Sequence, residues 1–197
     1  EKDKEFLPIL SDLKNSFPNK LHIIYEDALN FDIKRLDDYP FKIISNLPYN
    51  ISTVLLIKWL TSDICNSRCL SLTLMFQKEV AERIVAKTGS SGRSRISIIT
   101  ELYTNRELVL NVSSGSFIPK PKVNSALIYF EILKKPRYKI NQNRFKIIVD
   151  AAFSQKRKMI RSSLKNIFPN IKSALKKVGI EETKRPQNIE LKSFCDL

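Results

Sequence analysis

The sequence predicts an α/β fold with a mostly parallel sheet, followed by a small all-α domain. Up to about residue 135, short apolar runs rich in β-branched residues alternate with amphipathic helical segments, which is the order typical of α/β sheets. Beyond Lys134-Lys135-Pro136 the strand pattern disappears and only helical periodicity remains. The 197 residues, 43% of them hydrophobic, suffice for a buried core. We therefore expect one domain over residues 1–136 and a second over 137–197.

Helices and strands alternate in the first half of the larger predicted domain. Apolar residues at helical spacing predict an amphipathic helix over 6–17. Residues 21–25 and 41–44 are short apolar runs that predict two buried strands, the first of which would place His22 in the core. A serine and a threonine that can act as caps then predict a helix over 52–60.

The second half of that domain continues the alternation and ends in a pair of strands. The predicted elements are, in order, a strand over 70–76, a helix over 77–86, a polar cationic loop over 87–93, a helix over 96–102, a strand over 107–112, an irregular stretch over 113–124 and a strand over 126–132. Because the last two strands lie close in sequence, we expect them to pair antiparallel. The all-α domain is predicted to contain helices over 145–153, 159–167, 171–178 and 189–195.

Charge is distributed unevenly along the chain. The formal net charge is +14, and residues 138–197 hold 14 of the 34 Lys and Arg but only 5 of the 20 Asp and Glu. A basic appendage on a nearly balanced body is typical of a protein that binds a polyanion. The alternative interpretation is a generally Lys-rich composition without a specific partner, because net charge by itself indicates only non-specific attraction.

The sequence gives no support for a membrane protein, a secreted protein or a metal site. The longest apolar runs, such as residues 54–57, are far too short to span a bilayer. The first residues also lack the charged-then-apolar pattern of a signal peptide, so we expect none. Of the three cysteines only Cys65 and Cys69 lie near each other, and no histidine accompanies them. This spacing predicts buried thiols in a reducing compartment. We expect a cytoplasmic protein with no bound metal ion.

Glycine is scarce, which bears on nucleotide binding. The chain has four glycines and no two of them form a G-x-G arrangement, so it carries no glycine-rich loop that could cradle a nucleotide. Its first residue is Glu1, and its only methionines are Met75 and Met159. We expect the chain to be trimmed at its N-terminus, with any such loop upstream of Glu1.

The sharpest chemical motif is Asn46-Leu47-Pro48-Tyr49, which follows the predicted strand over 41–44. The residue before a proline is held away from the helical conformation, and Pro48 offers no N–H. The turn therefore presents two acceptors, the side-chain oxygen of Asn46 and the carbonyl of Leu47, beside the ring of Tyr49. Two acceptors and a stacked ring suit a planar amino group on a base that must become a nucleophile. The alternative interpretation is a strand-terminating turn with a packed tyrosine.

Acidic residues also stand where predicted strands end. Glu1 opens the chain, and Glu26 and Asp27 follow the run over 21–25. In open parallel sheets, ligands bind outside the carboxyl ends of the strands. A carboxylate there can accept hydrogen bonds from ribose hydroxyls or from the exocyclic amine of a nucleoside. Acids are also common at solvated strand ends, which is the alternative interpretation.

Several segments in a fixed order resemble the bacterial small-subunit ribosomal RNA adenine N6,N6-dimethyltransferases. Residues 44–52, around the Asn46 turn, resemble motif IV of that family. The further matching segments are, in order, Phe76–Arg83, Phe117–Ser125 with the pattern F-x-P-x-P-x-V-x-S, Ala152–Arg161 and Arg185–Ile189. The resemblance covers essentially the whole chain. It implies a Rossmann-like class I methyltransferase sheet, whose first strand and glycine loop would lie upstream of Glu1, and a small all-α C-terminal domain.

The resemblance also implies an activity and a set of site residues. Enzymes of this family transfer methyl groups from S-adenosylmethionine to N6 of adjacent adenines in 16S ribosomal RNA during ribosome biogenesis. The implied cofactor-binding residues are Glu1 for the ribose hydroxyls, Asp27 with Ala28 for the adenine amine, and Asn46 where cofactor and base meet. The implied catalytic residues are Asn46, Leu47, Pro48, Tyr49 and Phe117, with both aromatic rings stacking on the flipped base. Without the glycine loop, we expect the chain alone to bind the cofactor poorly and to be inactive.

Four cationic residues lie close together in the predicted helical domain. Lys156, Arg157, Lys158 and Arg161 would lie within about one and a half helical turns. We expect them to bind phosphates of small-subunit ribosomal RNA, naked or in a pre-30S particle, with the protein acting as a monomer. The alternative interpretation of such a charge run is a solvated helix face.

Two other functions stay open on the sequence alone. One is the related antibiotic-resistance methylase that acts on large-subunit RNA, and the other is a non-catalytic RNA-binding assembly factor or a transcription-factor paralogue of the same fold. The Pro119–Ser125 signature and the helical domain favour the small-subunit enzyme. The intact turn over 46–49 favours catalysis, because a protein that only binds RNA has no need of two acceptors aimed at an amine.

Overall fold

The computed structural model describes residues 1–36, 39–61 and 68–197. These residues form two compact units, Glu1–Arg35 and Leu36–Leu197. In the described ranges, no helix combines the length and the apolarity that crossing a bilayer requires. Cys65 lies outside the described residues, whereas Cys69 is buried, as predicted.

The smaller unit contains one helix, α1 (Leu7–Ser16), which confirms the helix predicted over 6–17. A 3-10 turn, Lys4–Phe6, leads into it and is capped by the Asp3 carboxylate, which accepts from the N–H of Glu5. A proline lies in the first turn of α1. It is tolerated there because the first N–H groups of a helix have no partner within the helix.

Residues 21–25 form no strand, so the strand predicted there was wrong. His22 and Ile24 are exposed instead of buried. The segment is bonded to Glu1, whose amino group donates to the carbonyl of Ile24 and whose carbonyl accepts from the N–H of Glu26, both at 3.1 Å. This is the bonding pattern of a single residue in a parallel pair. An apolar run becomes a strand only beside a neighbour that continues the ladder of hydrogen bonds.

The larger unit is built on a four-stranded sheet. Its strands are β1 (Phe41–Ser45), β2 (Cys69–Gln77), β3 (Thr104–Val112) and β4 (Ser125–Ile132). The spatial order is β1-β2-β4-β3, with β1 parallel to β2, and β4 antiparallel to both β2 and β3. Three of these four strands therefore point the same way and β4 runs against them. The described sheet is thus mixed, with one parallel pair out of three, where the sequence predicted a mostly parallel one. The predicted antiparallel pairing of the last two strands is confirmed.

Seven helices belong to the larger unit in the described ranges. They are α2 (Tyr49–Thr61), α3 (Lys78–Val85), α4 (Arg95–Tyr103), α5 (Gln142–Ser154), α6 (Ile160–Leu164), α7 (Ile171–Lys177) and α8 (Leu191–Asp196). Each corresponds to a helix predicted from periodicity. The four helices after residue 137 confirm that this part of the chain is all-α.

Helix α2 begins three residues earlier than predicted. The carbonyl of Pro48 accepts from the N–H groups of Ile51 and Ser52, each at 3.1 Å, so the proline opens the helix. Its fixed φ favours that place. Ser52, one of the two predicted caps, lies inside the first turn, and its hydroxyl donates to the carbonyl of Tyr49. The consequence for the site is that Tyr49 is held at the start of a rigid helix.

The core of the larger unit lies on the two central strands. Fully buried apolar residues of β2 face fully buried partners on β4, in the pairs Leu72–Phe130, Leu74–Ile128 and Phe76–Ala126. The rings of Phe76 and Phe130 meet edge to face with centroids 6.3 Å apart, which is a favoured aromatic geometry. Burial of these alternate positions fixes the register of β4 against β2, since a slip by one residue would expose every one of them.

An ion pair between the buried Arg93 and the partly exposed Glu101 fixes the start of α4. Arg93 is only 1% exposed, and its Nη1 donates to the Glu101 carboxylate at 2.9 Å. Glu101 also lies 3.5 Å from Arg106, so one carboxylate serves two guanidinium groups. The Nε and Nη2 atoms of Arg93 are buried with no hydrogen-bond partner in the described part of the structure. Glu101 is therefore the main compensation for the buried charge of Arg93.

Replacing Glu101→Gln should lower the free energy of unfolding by about 3 kcal/mol, because it leaves the charge of the buried Arg93 uncompensated. Urea denaturation followed by circular dichroism measures the change. The matched control is Glu107→Gln on β3, where the side chain is exposed and the effect should stay within about 0.5 kcal/mol. Equal effects of the two substitutions would contradict this account of Arg93.

Candidate active site

A cleft of about 320 Å³ opens where β1 ends. It is lined by Asn46, Leu47, Pro48, Tyr49, Phe117, Ile118, Pro119 and Pro121. The structure thus brings together all five residues that the family resemblance implies as catalytic, although Phe117 is far from the other four along the chain. The cleft lies at the carboxyl end of a parallel strand, which is where open α/β sheets bind ligands.

The first wall of the cleft is the turn over 46–49. β1 ends at Ser45 and α2 starts at Tyr49, so Asn46, Leu47 and Pro48 make the whole connection. Leu47 is 8% exposed and anchors the turn in the core, whereas Asn46 is exposed. Leu47 is also restricted to an extended conformation by the proline that follows it. The turn therefore holds the Asn46 amide at the surface on a rigid support.

The second wall is the segment over 113–124, which enters β4. The side-chain oxygen of Asn124 accepts from the N–H of Ser114, and its carbonyl accepts from the N–H of Lys78, each at 2.9 Å. Asn124 thus holds the start of this segment and the start of α3 in place through these two hydrogen bonds. Phe117 is half-buried against the cleft, and the next residue, Ile118, is completely exposed at its rim.

A hydrogen bond joins the two walls. The hydroxyls of Tyr49 and Ser125 lie 2.6 Å apart, and either oxygen can be the donor. Ser125 is fully buried as the first residue of β4. Sequence reasoning named Ser125 only as the end of a family pattern and gave it no role. The available signal was a serine at the start of a buried strand, whose hydroxyl must find a partner.

The proposed cofactor acids lie together in the smaller unit. Glu1 is paired with the backbone on either side of Tyr25, and the Lys2 ammonium reaches Asp27 at 3.0 Å. N–H groups of Asp3 and Lys2 bond the Glu1 carboxylate and lower its pKa. The N–H of Leu29, and then Lys2, lower the pKa of Asp27. Both carboxylates are therefore ionised and act as acceptors, and Ala28 is exposed beside Asp27.

The predicted cationic cluster does not lie on one helix. Lys156, Arg157 and Lys158 occupy the turn between α5 and α6, and Arg161 lies within α6. The chain is not helical over residues 155–159. The prediction that the four cations lie within one and a half turns of a single helix was therefore wrong. Arg161 is paired with Glu182 at 2.9 Å, and the Lys156 ammonium donates to the carbonyl of Ser91. Arg157 and Lys158 are exposed.

Other reactive groups in the described ranges lie outside the cleft. Burial, with Asp196 next in importance, raises the pKa of the Cys195 thiol to about 12, so it is a neutral, poorly nucleophilic thiol at physiological pH. No group of three or more His, Cys, Asp or Glu that could hold a metal ion occurs among residues 1–36, 39–61 and 68–197. The cleft is lined by acceptors and by aromatic rings, which together can bind and orient a planar group.

Two solved structures share the fold of this chain. A dimethyladenosine transferase from Plasmodium falciparum superposes with a TM-score of 0.78 at 24% identity, covering 100% of this chain and 78% of that one. A 23S rRNA methyltransferase, ErmE, superposes with a TM-score of 0.70 at 23% identity, with the same coverage. At these identities the likeness establishes the fold alone. The predicted Rossmann-like methyltransferase fold is thereby confirmed.

Curated relatives are closer in sequence and longer than this chain. The ribosomal RNA small subunit methyltransferase A of Cereibacter sphaeroides (strain ATCC 17029 / ATH 2.4.9) is 42% identical over 197 residues, which is 100% of this chain and 70% of the relative. The protein of the same name from Paracoccus denitrificans (strain Pd 1222) is 41% identical with the same coverage.

Family membership follows from the extent of these matches. The family profile described as ribosomal RNA adenine dimethylase matches residues 1–197, the whole chain. The resemblance that the sequence motifs indicated is thus confirmed from end to end. The chain belongs to the ribosomal RNA adenine dimethylase family.

Proposed function

We propose that this enzyme transfers methyl groups from S-adenosylmethionine to N6 of adjacent adenines in small-subunit (16S) ribosomal RNA, giving N6,N6-dimethyladenosine during ribosome biogenesis. The observation that carries the proposal is the cleft, in which Asn46 and Leu47 converge with Tyr49 and Phe117 in a member of this family. The enzyme acts as a monomer in the cytoplasm on a pre-30S particle.

The choice of the small subunit rests on the sequence relatives. Relatives at 41–42% identity over the whole of this chain are named as small-subunit methyltransferases. The fold does not discriminate, because a dimethyladenosine transferase and a 23S rRNA methyltransferase both superpose well. Activity on large-subunit RNA is therefore the second candidate, and the assay described below separates the two.

The turn over 46–49 supplies the chemistry that an adenine amine needs. The N6 lone pair is delocalised into the ring, which makes it a poor nucleophile. Hydrogen bonds from N6 to the Asn46 side-chain oxygen and the Leu47 carbonyl favour a pyramidal nitrogen aimed at the methyl donor. The reaction is then a direct displacement that depends on position and on pre-aligned dipoles. No strong base is required, because the N6 proton becomes acidic as positive charge develops and water can remove it.

The two aromatic residues of the cleft supply the binding energy for a flipped base. Extrusion of a base costs a few kcal/mol unless it is already unpaired. Stacking on an aromatic ring contributes about 1–3 kcal/mol per base, so Tyr49 and Phe117 on opposite walls can offset that cost. The exposed Asn46 and Ile118 leave the mouth of the cleft accessible to RNA.

The acids of the smaller unit fit the nucleoside part of S-adenosylmethionine. When bound, this cofactor supplies an electrophilic methyl group on a sulfonium. Each oxygen of the Asp27 carboxylate accepts one hydrogen bond within the chain, and a carboxylate oxygen has a further lone pair for an adenine amine. The ionised Glu1 carboxylate is an acceptor suited to ribose hydroxyls, and the exposed Ala28 leaves room beside Asp27.

Residues 137–197 serve as the RNA-binding domain in this proposal. Of the four predicted cationic residues, Arg157 and Lys158 are exposed on the turn that joins α5 to α6. Arg161 is engaged with Glu182 and Lys156 with Ser91. Arg157 and Lys158 are therefore the better candidates for phosphate contacts.

The Asn46→Ala variant should lose methylation by roughly a hundredfold while its affinity for RNA is unchanged, because one acceptor of the N6 amine is removed. The full encoded protein is incubated with S-adenosylmethionine and small ribosomal particles that lack the modification. Dimethyladenosine is then quantified in the nucleoside digest by mass spectrometry. Asn50→Ala removes an exposed amide four residues away and should leave the rate unchanged.

The same assay decides between the candidate functions. Product from large-subunit RNA and none from small particles would assign the enzyme to the resistance type. Tight RNA binding without product from either RNA would make the protein an assembly factor. A loss of RNA affinity that accounts for the whole defect of Asn46→Ala would contradict its role in the chemistry.

The Asp27 carboxyl should titrate below the usual range of an aspartate in an NMR pH titration. Because the Leu29 N–H is the larger cause and Lys2 the smaller, Lys2→Met should raise the Asp27 pKa only part of the way. The stability that this carboxylate adds is present above the pKa of an unfolded aspartate and is lost as the pH falls through the lower folded pKa. Lys4→Met is the charge-matched control. An ordinary pKa in the wild-type protein would contradict the bonding described for Asp27.

The double variant Arg157→Glu, Lys158→Glu should bind small-subunit RNA more weakly at low salt. The slope of log affinity against log salt should become shallower by about 1 for each lost phosphate contact. Filter binding over a range of salt concentrations measures both quantities. The control is Lys176→Glu, Lys177→Glu on α7, which makes the same charge change at exposed positions. Equal loss in both variants would mean that net charge, and not this turn, determines RNA affinity.

A further inference from the structure

We infer that Ser125 is a positioning residue for the substrate base, acting through Tyr49. Its hydroxyl holds the tyrosine ring in the orientation in which the ring stacks on the flipped adenine. The inference rests on the proposed function, since it concerns the same cleft. It assigns a task to a residue that forms no part of the cleft lining.

The contact itself is short and connects distant parts of the chain. The Tyr49 and Ser125 hydroxyl oxygens are 2.6 Å apart across 76 residues of sequence. This distance is within the range of a good O–H···O hydrogen bond. Ser125 is fully buried, whereas Tyr49 is half-buried with its ring against the cleft. The bond therefore ties a partly accessible ring to an inaccessible anchor.

The anchor is rigid because two strands hold it. As the first residue of β4, Ser125 lies opposite Gln77 of β2 on one side and opposite Val112 of β3 on the other. The backbone of Ser125 is thus held by both neighbouring strands. The next residue, Ala126, is fully buried and cannot shift without exposing the core. The backbone position from which the Ser125 hydroxyl bonds Tyr49 is therefore fixed.

The tyrosine hydroxyl is not required for stacking as such. A phenylalanine presents the same ring face to a base, so the hydroxyl contributes orientation. The χ2 torsion of a tyrosine is broad, and a free ring would have to be ordered when the base arrives. A ring that is already held loses less entropy on binding. Ser125 therefore pre-organises the site.

The same bond also sets the distance between the walls of the cleft. Phe117 lies on the segment that enters β4 at Ser125, and Tyr49 is the first residue of α2, directly after the turn that leaves β1. Joining Tyr49 to Ser125 links the turn to the base of the Phe117 segment. The gap between the two rings is then fixed before a base enters. Reacting groups must be held closely for an effective methyl transfer.

The test compares Ser125→Ala, Tyr49→Phe and the double variant in the full encoded protein. Dimethyladenosine formation is measured over a range of concentrations of unmodified small ribosomal particles, and unfolding by urea is measured in parallel. Each single variant should lose about tenfold in kcat with KM for the particles unchanged, because the basic domain still binds the RNA. The double variant should be no slower than the slower single variant, since both substitutions remove one interaction.

A merely structural serine gives a different result. It would lower the urea midpoint while leaving kcat unchanged, or its effect would multiply with that of Tyr49→Phe. Either outcome would overturn the inference and leave the proposed function intact. The control Ser71→Ala removes another buried serine, from β2, and should leave kcat unchanged; an equal loss there would also count against Ser125. Absence of dimethyladenosine with the wild-type protein would overturn the proposed function and this inference with it.

Discussion

The place of β4 between β2 and β3 is the constraint on which the candidate site depends. β4 runs against both neighbours, so its first residue, Ser125, lies opposite Gln77, the last residue of β2. β1 runs parallel to β2 and ends near the same edge, with Ser45 opposite Leu74. The chain that leaves β1 and the chain that enters β4 therefore meet. With the opposite direction for β4, the segment that carries Phe117 would open onto the other edge of the sheet.

The sequence predicted those parts of the site that are local. The turn over 46–49 follows from a proline and the end of an apolar run, and the Phe117 segment from its prolines and its family pattern. The Tyr49–Ser125 hydrogen bond spans 76 residues, and no spacing rule reports such a contact. The strand predicted over 21–25 failed for a related reason, because a strand needs a neighbour and an apolar run does not reveal one.

The sequence predicted the basic excess of residues 138–197 correctly, but not the contacts that the individual cations make. The basic excess of residues 138–197 is a property of composition, but the structure divides these cations by what they touch. Arg161 compensates Glu182, and Lys156 bonds a backbone carbonyl, so both have tasks inside the protein. Arg93 is a further case, since it is buried and depends on Glu101. A count of basic residues therefore overstates the number that face a polyanion, because some of them hold the fold together.

The open mouth of the cleft has a consequence for how water is kept out. Its rim carries exposed residues, among them Asn46 and Ile118, and the rings of Tyr49 and Phe117 lie only half-buried. Under the proposed function the substrate is as large as a ribosomal particle, and such a mouth leaves room for a base to enter. Under the proposed function, the RNA that delivers the base also closes the site behind it. The site of methyl transfer would then be enclosed partly by the enzyme and partly by the RNA of the particle.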